Sequence, residues 1–185
     1  MDFLADLWLP ILLSAVFCFI ASSIIHMVIP LHRSDFKKLP AEGQILDAMR
    51  PHALKPGEYM FPCPKDMKDM GSPEMLAKFE QGPVGHMTIL PNGPFNIGRS
   101  LGFWLVYLLV ISTFVAYLAS QALTSGAGYL QVFQVTGTGA FLAYVFSNVP
   151  NSIWRGTPWS TTAKFMFDGL VYSLVTAGTF GWLWS

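Results

Sequence analysis

The sequence predicts an all-α integral membrane protein, a four-helix bundle with a small, partly helical cytoplasmic cap. Three observations lead to this fold class. The chain of 185 residues is 52% hydrophobic and only 12% charged, about half of the roughly 25% charge that is typical of soluble domains. Four apolar stretches approach the length of about 20 residues that crosses a bilayer as a helix. All lysines and arginines fall between those stretches.

The four apolar stretches differ in how polar their side chains are. They cover approximately residues 7–29, 101–123, 129–149 and 165–184. The third contains Gln131, Gln134, Thr136 and Thr138, whose amide and hydroxyl groups need hydrogen-bond partners inside a membrane. We therefore expect the third helix to pack inside a bundle. All six tryptophans lie close to the predicted helix ends, where amphipathic rings prefer to be at a membrane interface.

The positive charges predict the orientation. Nine of the eleven lysines and arginines lie between the first and second stretches, and the other two, Arg155 and Lys164, lie between the third and fourth. Four membrane crossings place both segments on one side, which the positive-inside rule identifies as cytoplasmic. We therefore predict a multi-pass protein of the bacterial inner membrane, with both termini outside and the 33–99 loop in the cytoplasm. The charge segregation argues against a uniformly basic surface for nucleic acid.

The chain is predicted to have three parts: residues 1–32 with the first membrane helix, a cytoplasmic loop or cap at 33–99, and three membrane helices at 100–185. Within the cap, "LPAEGQILDAMR" has apolar residues at helical spacing. In "GSPEMLAKFEQG", Ser72 is an N-cap, Pro73 lies in the first turn and Gly82 is a stop signal. Both segments predict short helices. The segments "PGEYMFPCP" and "GPVGHMTILPNGPFN" are typical of extended chain with turns.

Small side chains recur at every fourth position on at least three of the predicted membrane helices. Such rows let helices approach closely in lipid, where packing and interhelical hydrogen bonds drive association. Small residues are also simply common in membrane helices, but several rows together favour a compact bundle. The residues concerned are Ser14, Cys18 and Ser22 on the first helix, Ser112, Ala116 and Ser120 on the second, and Gly169, Ser173, Ala177 and Gly181 on the fourth.

Ionisable side chains near the helix ends form a candidate polar cluster. His26 continues the row of small residues, so we expect it to face protein. Asp168 lies at a comparable depth on the fourth helix, four residues after Lys164. Ionisable residues inside a membrane are costly and normally paired, so we expect His26 or Lys164 to pair with Asp168, with Asn148 and Arg99 completing the cluster. The cluster is interpreted either as a proton, ion or headgroup site or as an interhelical latch.

Sulfur-containing side chains in the cap are candidate ligands for a metal ion. Cys63, Met67 and Met70 lie close together in sequence, and soft sulfur ligands suit monovalent copper. Their spacing matches no specific metal signature, and methionine often fills irregular gaps against apolar surfaces. A haem held by His26 and Met166 is a geometric alternative. We expect no cofactor.

The sequence contains the residue types that a hydrolase needs but no hydrolase motif. Ser22, His26 and Asp168 match a nucleophile, a base and an orienting carboxylate. However, Ser22 and His26 share a packing face, and the sequence has no nucleophile elbow, phosphate-binding glycine loop or HExxH motif. We therefore expect a protein that is not an enzyme.

The segments "SSIIHMVIPLHRSDFKKLP" and "WSTTAKFMFDGLVYSLVTAGTFGWLW" resemble those of small bacterial inner-membrane proteins with no assigned function. The resemblance covers the first and last spans and implies no catalytic residues. We expect an accessory or assembly subunit of a larger inner-membrane complex, in contact with the lipid bilayer and with membrane-protein partners or further copies of itself. No nucleic-acid partner is expected. The alternative is a small transporter or channel that uses His26 and Asp168.

Overall fold

The computed structural model describes residues 3–184 and is mostly helical. Met1, Asp2 and Ser185, at the ends of the predicted segments 1–32 and 100–185, lie outside these residues. In chain order, the α-helices are α1 (Phe3–Asp6), α2 (Trp8–Ser23), α3 (Glu42–Met49), α4 (Pro73–Gln81), α5 (Ile97–Ala122), α6 (Tyr129–Val145), α7 (Val149–Arg155) and α8 (Trp159–Leu183). The strands are β1 (Gly57–Phe61) and β2 (Gly85–Ile89).

The chain divides into two compact units. The described part of the first, which we term the helical unit, is residues 3–35 and 96–184, and the second, the middle unit, is residues 36–95. The middle unit lies within the predicted 33–99 loop. The helical unit contains all four long apolar helices, α2, α5, α6 and α8.

Two segments of the helical unit are long and apolar enough to cross a membrane. They are Trp8–Val28, which contains α2, and α5. Most residues in both segments are not buried inside the protein. The other two long helices differ from these segments. The helix α6 has only 17 residues, and α8 carries the charged residues Lys164 and Asp168.

The helices α6 and α8 run antiparallel with their backbones in close contact. A Cβ atom at Gly169 would lie 2.6 Å from the carbonyl oxygen of Tyr144. At the other end of the interface, a Cβ atom at Gly181 would lie 2.7 Å from the ring of Tyr129. Real Cβ atoms do not approach so closely, so at Gly169, which faces main-chain atoms, only glycine permits this separation of the helices, whereas a Cβ atom at Gly181 would displace the Tyr129 ring.

Ser173 and Ala177, which lie between Gly169 and Gly181 in the row of small residues on α8, make different contacts. Ala177 contacts α6, because its Cβ atom lies 3.1 Å from the position that a Cβ atom would take at Gly137. The hydroxyl of Ser173 instead donates to the carbonyl of Gly169 in its own helix, at 2.6 Å. Bonding to the preceding turn satisfies a buried hydroxyl without a partner helix.

The row of small residues on α2 faces two other helices. The hydroxyl of Ser14 donates to that of Ser112 on α5 at 2.9 Å, and both residues are fully buried. The indole of Trp104 on α5 donates to Ser22 at 2.9 Å. The sulfur of Cys18 lies 3.4 Å from a threonine hydroxyl on α8. These contacts connect α2 with α5 and α8 through polar groups.

The middle unit contains the two predicted short helices and a sheet that was not predicted. As the sequence indicates, Ser72 caps α4, its hydroxyl accepting from the amide of Met75 at 3.2 Å, and Gly82 follows the last residue. The strands β1 and β2 pair antiparallel, from Gly57 opposite Ile89 to Phe61 opposite Gly85. The mostly helical chain agrees with the all-α prediction, to which the structure adds this two-stranded sheet. The pairing was missed because α4 separates the two strands in sequence.

Candidate functional site

A change of helix type after α2 positions two histidines. The helix continues as a π-helical turn over Ile24–Val28, in which the amide of Ile29 donates to the carbonyl of Ile24 at 3.1 Å. Ile29 is extended, as expected before a proline, and Pro30–His32 form a 3₁₀ turn. The chain thereby folds back, and the rings of His26 and His32 stack with centroids 4.5 Å apart.

The carboxylate of Asp168 on α8 faces both histidines. Its Oδ2 atom lies 2.8 Å from Nε2 of His32 and 3.9 Å from Nε2 of His26. The Asp168 side chain is only 2% exposed, and its Oδ1 atom has no hydrogen-bond partner among residues 3–184. A buried carboxylate oxygen without a partner is unusual, because such groups are normally hydrogen-bonded. One oxygen of Asp168 therefore remains available for a further ligand.

The second ring nitrogen of His32 faces another carboxylate. Nδ1 of His32 lies 2.6 Å from Oδ2 of Asp35, and the other oxygen of Asp35 accepts a hydrogen bond from Lys164 at 2.6 Å. Lys164 also donates to the hydroxyl of Ser34 at 2.8 Å. These contacts and those of Asp168 fix the position of the His32 ring at both nitrogens. We call His26, His32, Asp35, Lys164 and Asp168 the polar site.

Asp35 is ionised at neutral pH. Burial raises the pKa of its carboxyl group, but the hydrogen bonds from Lys164 and His32, together with their positive charges, have the larger combined effect, so the pKa lies below the ordinary value for aspartate. A charged Asp35 balances the ammonium group of Lys164 and orients the Nδ1 side of His32.

The predicted cluster and the observed polar site share three residues. His26, Lys164 and Asp168 lie together, but Lys164 pairs with Asp35, and the hydrogen-bonded partner of Asp168 is His32. The other two predicted members are located differently. Arg99 lies over the ring of Phe103, 5.4 Å from the centroid, and the amide of Asn148 donates to Ser147 at 3.4 Å. Among the described residues, neither side chain is hydrogen-bonded or ion-paired to the polar site.

Sequence reasoning missed His32 and Asp35, which are central to the site. Both lie in "HRSD", where the predicted segment 1–32 meets the predicted 33–99 loop. A histidine and an aspartate three residues apart were the available signal, because a single turn brings such residues together. Their pairing with α8, however, depends on the fold-back at Pro30.

The residues considered for hydrolysis and for copper binding have other contacts in the structure. The hydroxyl of Ser22 donates to the carbonyl of Phe19 at 2.8 Å and accepts from Trp104, so these contacts occupy it. In the middle unit, Cys63, Met67 and Met70 are exposed. The thiol of Cys63 lies 3.8 Å from the carbonyl of Pro64.

Comparisons with protein families, with curated protein sequences and with solved structures find no match to this chain.

Proposed function

We propose that the helical unit is a four-helix bundle in which α2, α5, α6 and α8 cross the bacterial inner membrane. The exposed apolar surface of the helices supports this proposal. On α5, one face exposes large apolar side chains over about three turns, at Phe103, Val106, Val110 and Phe114. A helix of 26 residues is about 39 Å long at 1.5 Å per residue, which exceeds the hydrocarbon thickness of about 30 Å. Lipid is the environment that suits such a stripe.

The proposed orientation places the middle unit in the cytoplasm and both termini outside. The chain carries its own reporter, because Cys63 is exposed in the middle unit and Cys18 is buried in α2. A membrane-impermeant maleimide should label Cys63 in inverted membrane vesicles and leave it unlabelled in intact cells. The Cys63→Ser variant is the control and should remain unlabelled in both. Labelling of Cys63 in intact cells would reverse the orientation.

Within the membrane, we propose a non-catalytic role as an accessory or assembly subunit of a larger complex. The observation that supports this role is the exposed apolar surface of the middle unit. Its most exposed apolar side chains, Phe36 at 94% and Met67 at 81%, are joined by Leu76, Val84, Leu90 and Phe95. Soluble surfaces rarely expose many large apolar side chains together, and such patches mark sites of association. A partner protein would cover this surface.

Native mass spectrometry of the tagged protein, gently extracted from its own membranes, tests this role. We expect a foreign subunit at fixed stoichiometry, and we expect the Leu76→Gln and Leu90→Gln variants to weaken its retention. Glu80→Gln, on the same helix as Leu76, is the matched control and should retain the subunit. A chain that is recovered alone or only with further copies of itself would contradict the role. The role would also be contradicted if the Leu76→Gln and Leu90→Gln variants retained the subunit and weakened only the binding of protein-free lipid vesicles.

A second candidate function is ion passage, as a small transporter or channel. It is favoured by one observation, the contact of the buried Asp168 with His32 inside the helical unit. Ionisable residues within membrane helices often mark ion or proton pathways. In this case His26→Ala and Asp168→Asn should abolish ion flux into proteoliposomes at unchanged protein level. Flux that is absent from the wild-type protein, or unaffected in both variants, would exclude this function.

A further inference from the structure

We propose that His26, His32 and Asp168 form a binding site for one divalent first-row transition-metal ion of the Zn²⁺ class. Each of the three side chains offers one ligand atom, and these atoms all lie within 4.8 Å of one another. Two imidazole nitrogens and one carboxylate oxygen are a donor set that zinc sites use, with further coordination positions left to water or to another ligand. This inference goes beyond the proposed function, since it requires neither a partner protein nor ion flux.

The distances suit a shared ion. Zinc binds histidine nitrogen and carboxylate oxygen at about 2.0–2.2 Å, so two of its ligand atoms are at most roughly 4.2 Å apart. Oδ2 of Asp168 lies 2.8 Å from Nε2 of His32 and 3.9 Å from Nε2 of His26, both below that limit. The ligand nitrogens of the two histidines are at most 4.8 Å apart, so they exceed that limit by little or not at all. Rotation of the His26 side chain, which is 44% exposed, is able to close any gap that remains.

The surroundings of His32 are those of a metal-binding histidine. Metal-bound histidines almost always donate the other ring N–H to a carboxylate or a carbonyl, which orients the ring and increases its basicity. Nδ1 of His32 faces Asp35 at 2.6 Å, which leaves Nε2 directed towards Asp168 and His26. Lys164 in turn holds Asp35 at 2.6 Å. A simple latch between Asp168 and His32 would not need this second layer of oriented groups.

The unpartnered oxygen of Asp168 is a separate observation that points to a ligand. Oδ1 is buried without a hydrogen bond among the described residues, and burying a charged oxygen in this state costs free energy. A bound ion supplies the missing positive charge, and either Oδ1 or a metal-bound water satisfies the carboxylate. His26 is the most exposed of the three ligands, since His32 is 14% and Asp168 2% exposed. The ion would therefore enter on the His26 side.

The donor set also separates this site from the sulfur cluster of the middle unit. Nitrogen and oxygen ligands favour divalent ions such as Zn²⁺ and Co²⁺, whereas thiol and thioether ligands favour monovalent copper. Binding of Zn²⁺ by the polar site should therefore not involve Cys63, Met67 or Met70. The two remaining histidines of the chain, His52 and His86, are exposed in the middle unit and provide the matched control.

The test uses the full-length protein in detergent, freed of metal and titrated with Co²⁺, followed by displacement with Zn²⁺. We expect one Zn²⁺ per chain and visible Co²⁺ absorption from a site with nitrogen and oxygen ligands. His26→Ala should weaken binding by at least about 10-fold, because loss of an outer-shell partner alone costs 10–100-fold in affinity. Asp35→Asn removes such an outer-shell partner and should weaken binding within that range. The His52→Ala/His86→Ala double variant should bind as the wild type does.

His26→Ala is the principal variant because its exposed ring contributes least to the fold, and its unfolding temperature serves as the folding check. Three results would overturn the proposal. These are no Zn²⁺ retained by the wild type, unchanged affinity in a folded His26→Ala protein, and loss of binding in the His52→Ala/His86→Ala variant. None of them bears on the maleimide labelling or on the subunit measurement, so failure here is distinguishable from failure of the proposed function.

Discussion

Nζ of Lys164 lies 2.6 Å from Oδ1 of Asp35, although Asp168 is only one helical turn away from Lys164 on α8. Asp168 has His32 as its partner instead, at 2.8 Å. The His32 ring also packs against Phe165 of the same helix, with centroids 5.0 Å apart. These contacts, with the hydrogen bond from Lys164 to Ser34, fix the short segment after Pro30 to α8, and through it the end of α2 is fixed as well.

Removing the cation of this pair should destabilise the protein more than removing both charges. We expect Lys164→Met to lower the free energy of unfolding by up to about 3 kcal/mol, because it leaves the largely buried Asp35 carboxylate without its counterion. The double variant Lys164→Met/Asp35→Asn should recover part of this loss. Unfolding in detergent measures both, with the exposed Lys37→Met as control. A double variant that is less stable than the single one would contradict the assignment.

The close contact of α6 and α8 predicts a difference between two glycines of the same helix. Gly169→Ala places a Cβ atom against main-chain atoms of Tyr144, which can only be relieved by moving a helix. We expect a loss of about 1–3 kcal/mol, typical of overpacking. At Gly178 the nearest atom to a Cβ is 3.9 Å away, so Gly178→Ala should be neutral or slightly stabilising. Equal thermal stability of the two variants would refute this packing.

The hydrogen bond between Ser14 and Ser112 predicts an energetic coupling between α2 and α5. A double-mutant cycle with Ser14→Ala and Ser112→Ala should give a coupling energy of about 0.6 kcal/mol and at most about 1.7 kcal/mol, as such cycles do for hydrogen bonds between membrane helices. The half-buried Ser120 donates instead to its own helix, to the carbonyl of Tyr117 at 2.7 Å. A cycle that pairs Ser14 with Ser120 should therefore show no coupling, and additivity in the first cycle would count against the contact.

A pH effect is expected in the middle unit at Asp69. Its pKa is lowered, chiefly because its carboxylate accepts a hydrogen bond from the amide of Lys65 at 2.8 Å. A depressed pKa means that the ionised form stabilises the turn. This contribution is present above the ordinary pKa of about 3.9 and is lost as the pH falls through the lower folded-state value.

Hydrogen exchange of the Lys65 amide, corrected for the intrinsic rate, should show this transition. Protection should decrease as the pH falls below the ordinary aspartate value, whereas Asp69→Asn should have low protection at every pH. Protection that is independent of pH in the wild-type protein would show that the amide does not depend on the Asp69 charge.

Local patterns in the sequence were sufficient for α2, α3, α4 and α5, whereas α7 was not predicted. Runs of apolar residues predict α2 and α5, helical spacing predicts α3, and a serine cap predicts α4, because these signals depend on neighbours within a few residues. The row from Gly169 to Gly181 could be read in the same way, since every fourth residue of a helix lies on one face. The antiparallel pairing of β1 and β2 had no such signal.

The polar site shows the limit of local reasoning. The sequence by itself indicated that His26, Lys164 and Asp168 lie in or beside the apolar helices and need partners. Only the tertiary structure decided which partners they have. The π-helical turn and the fold-back at Pro30 set the direction of the chain after α2, and that direction places His32 and Asp35 against α8. Contacts between residues more than a hundred positions apart depend on this path, which no periodicity within either segment records.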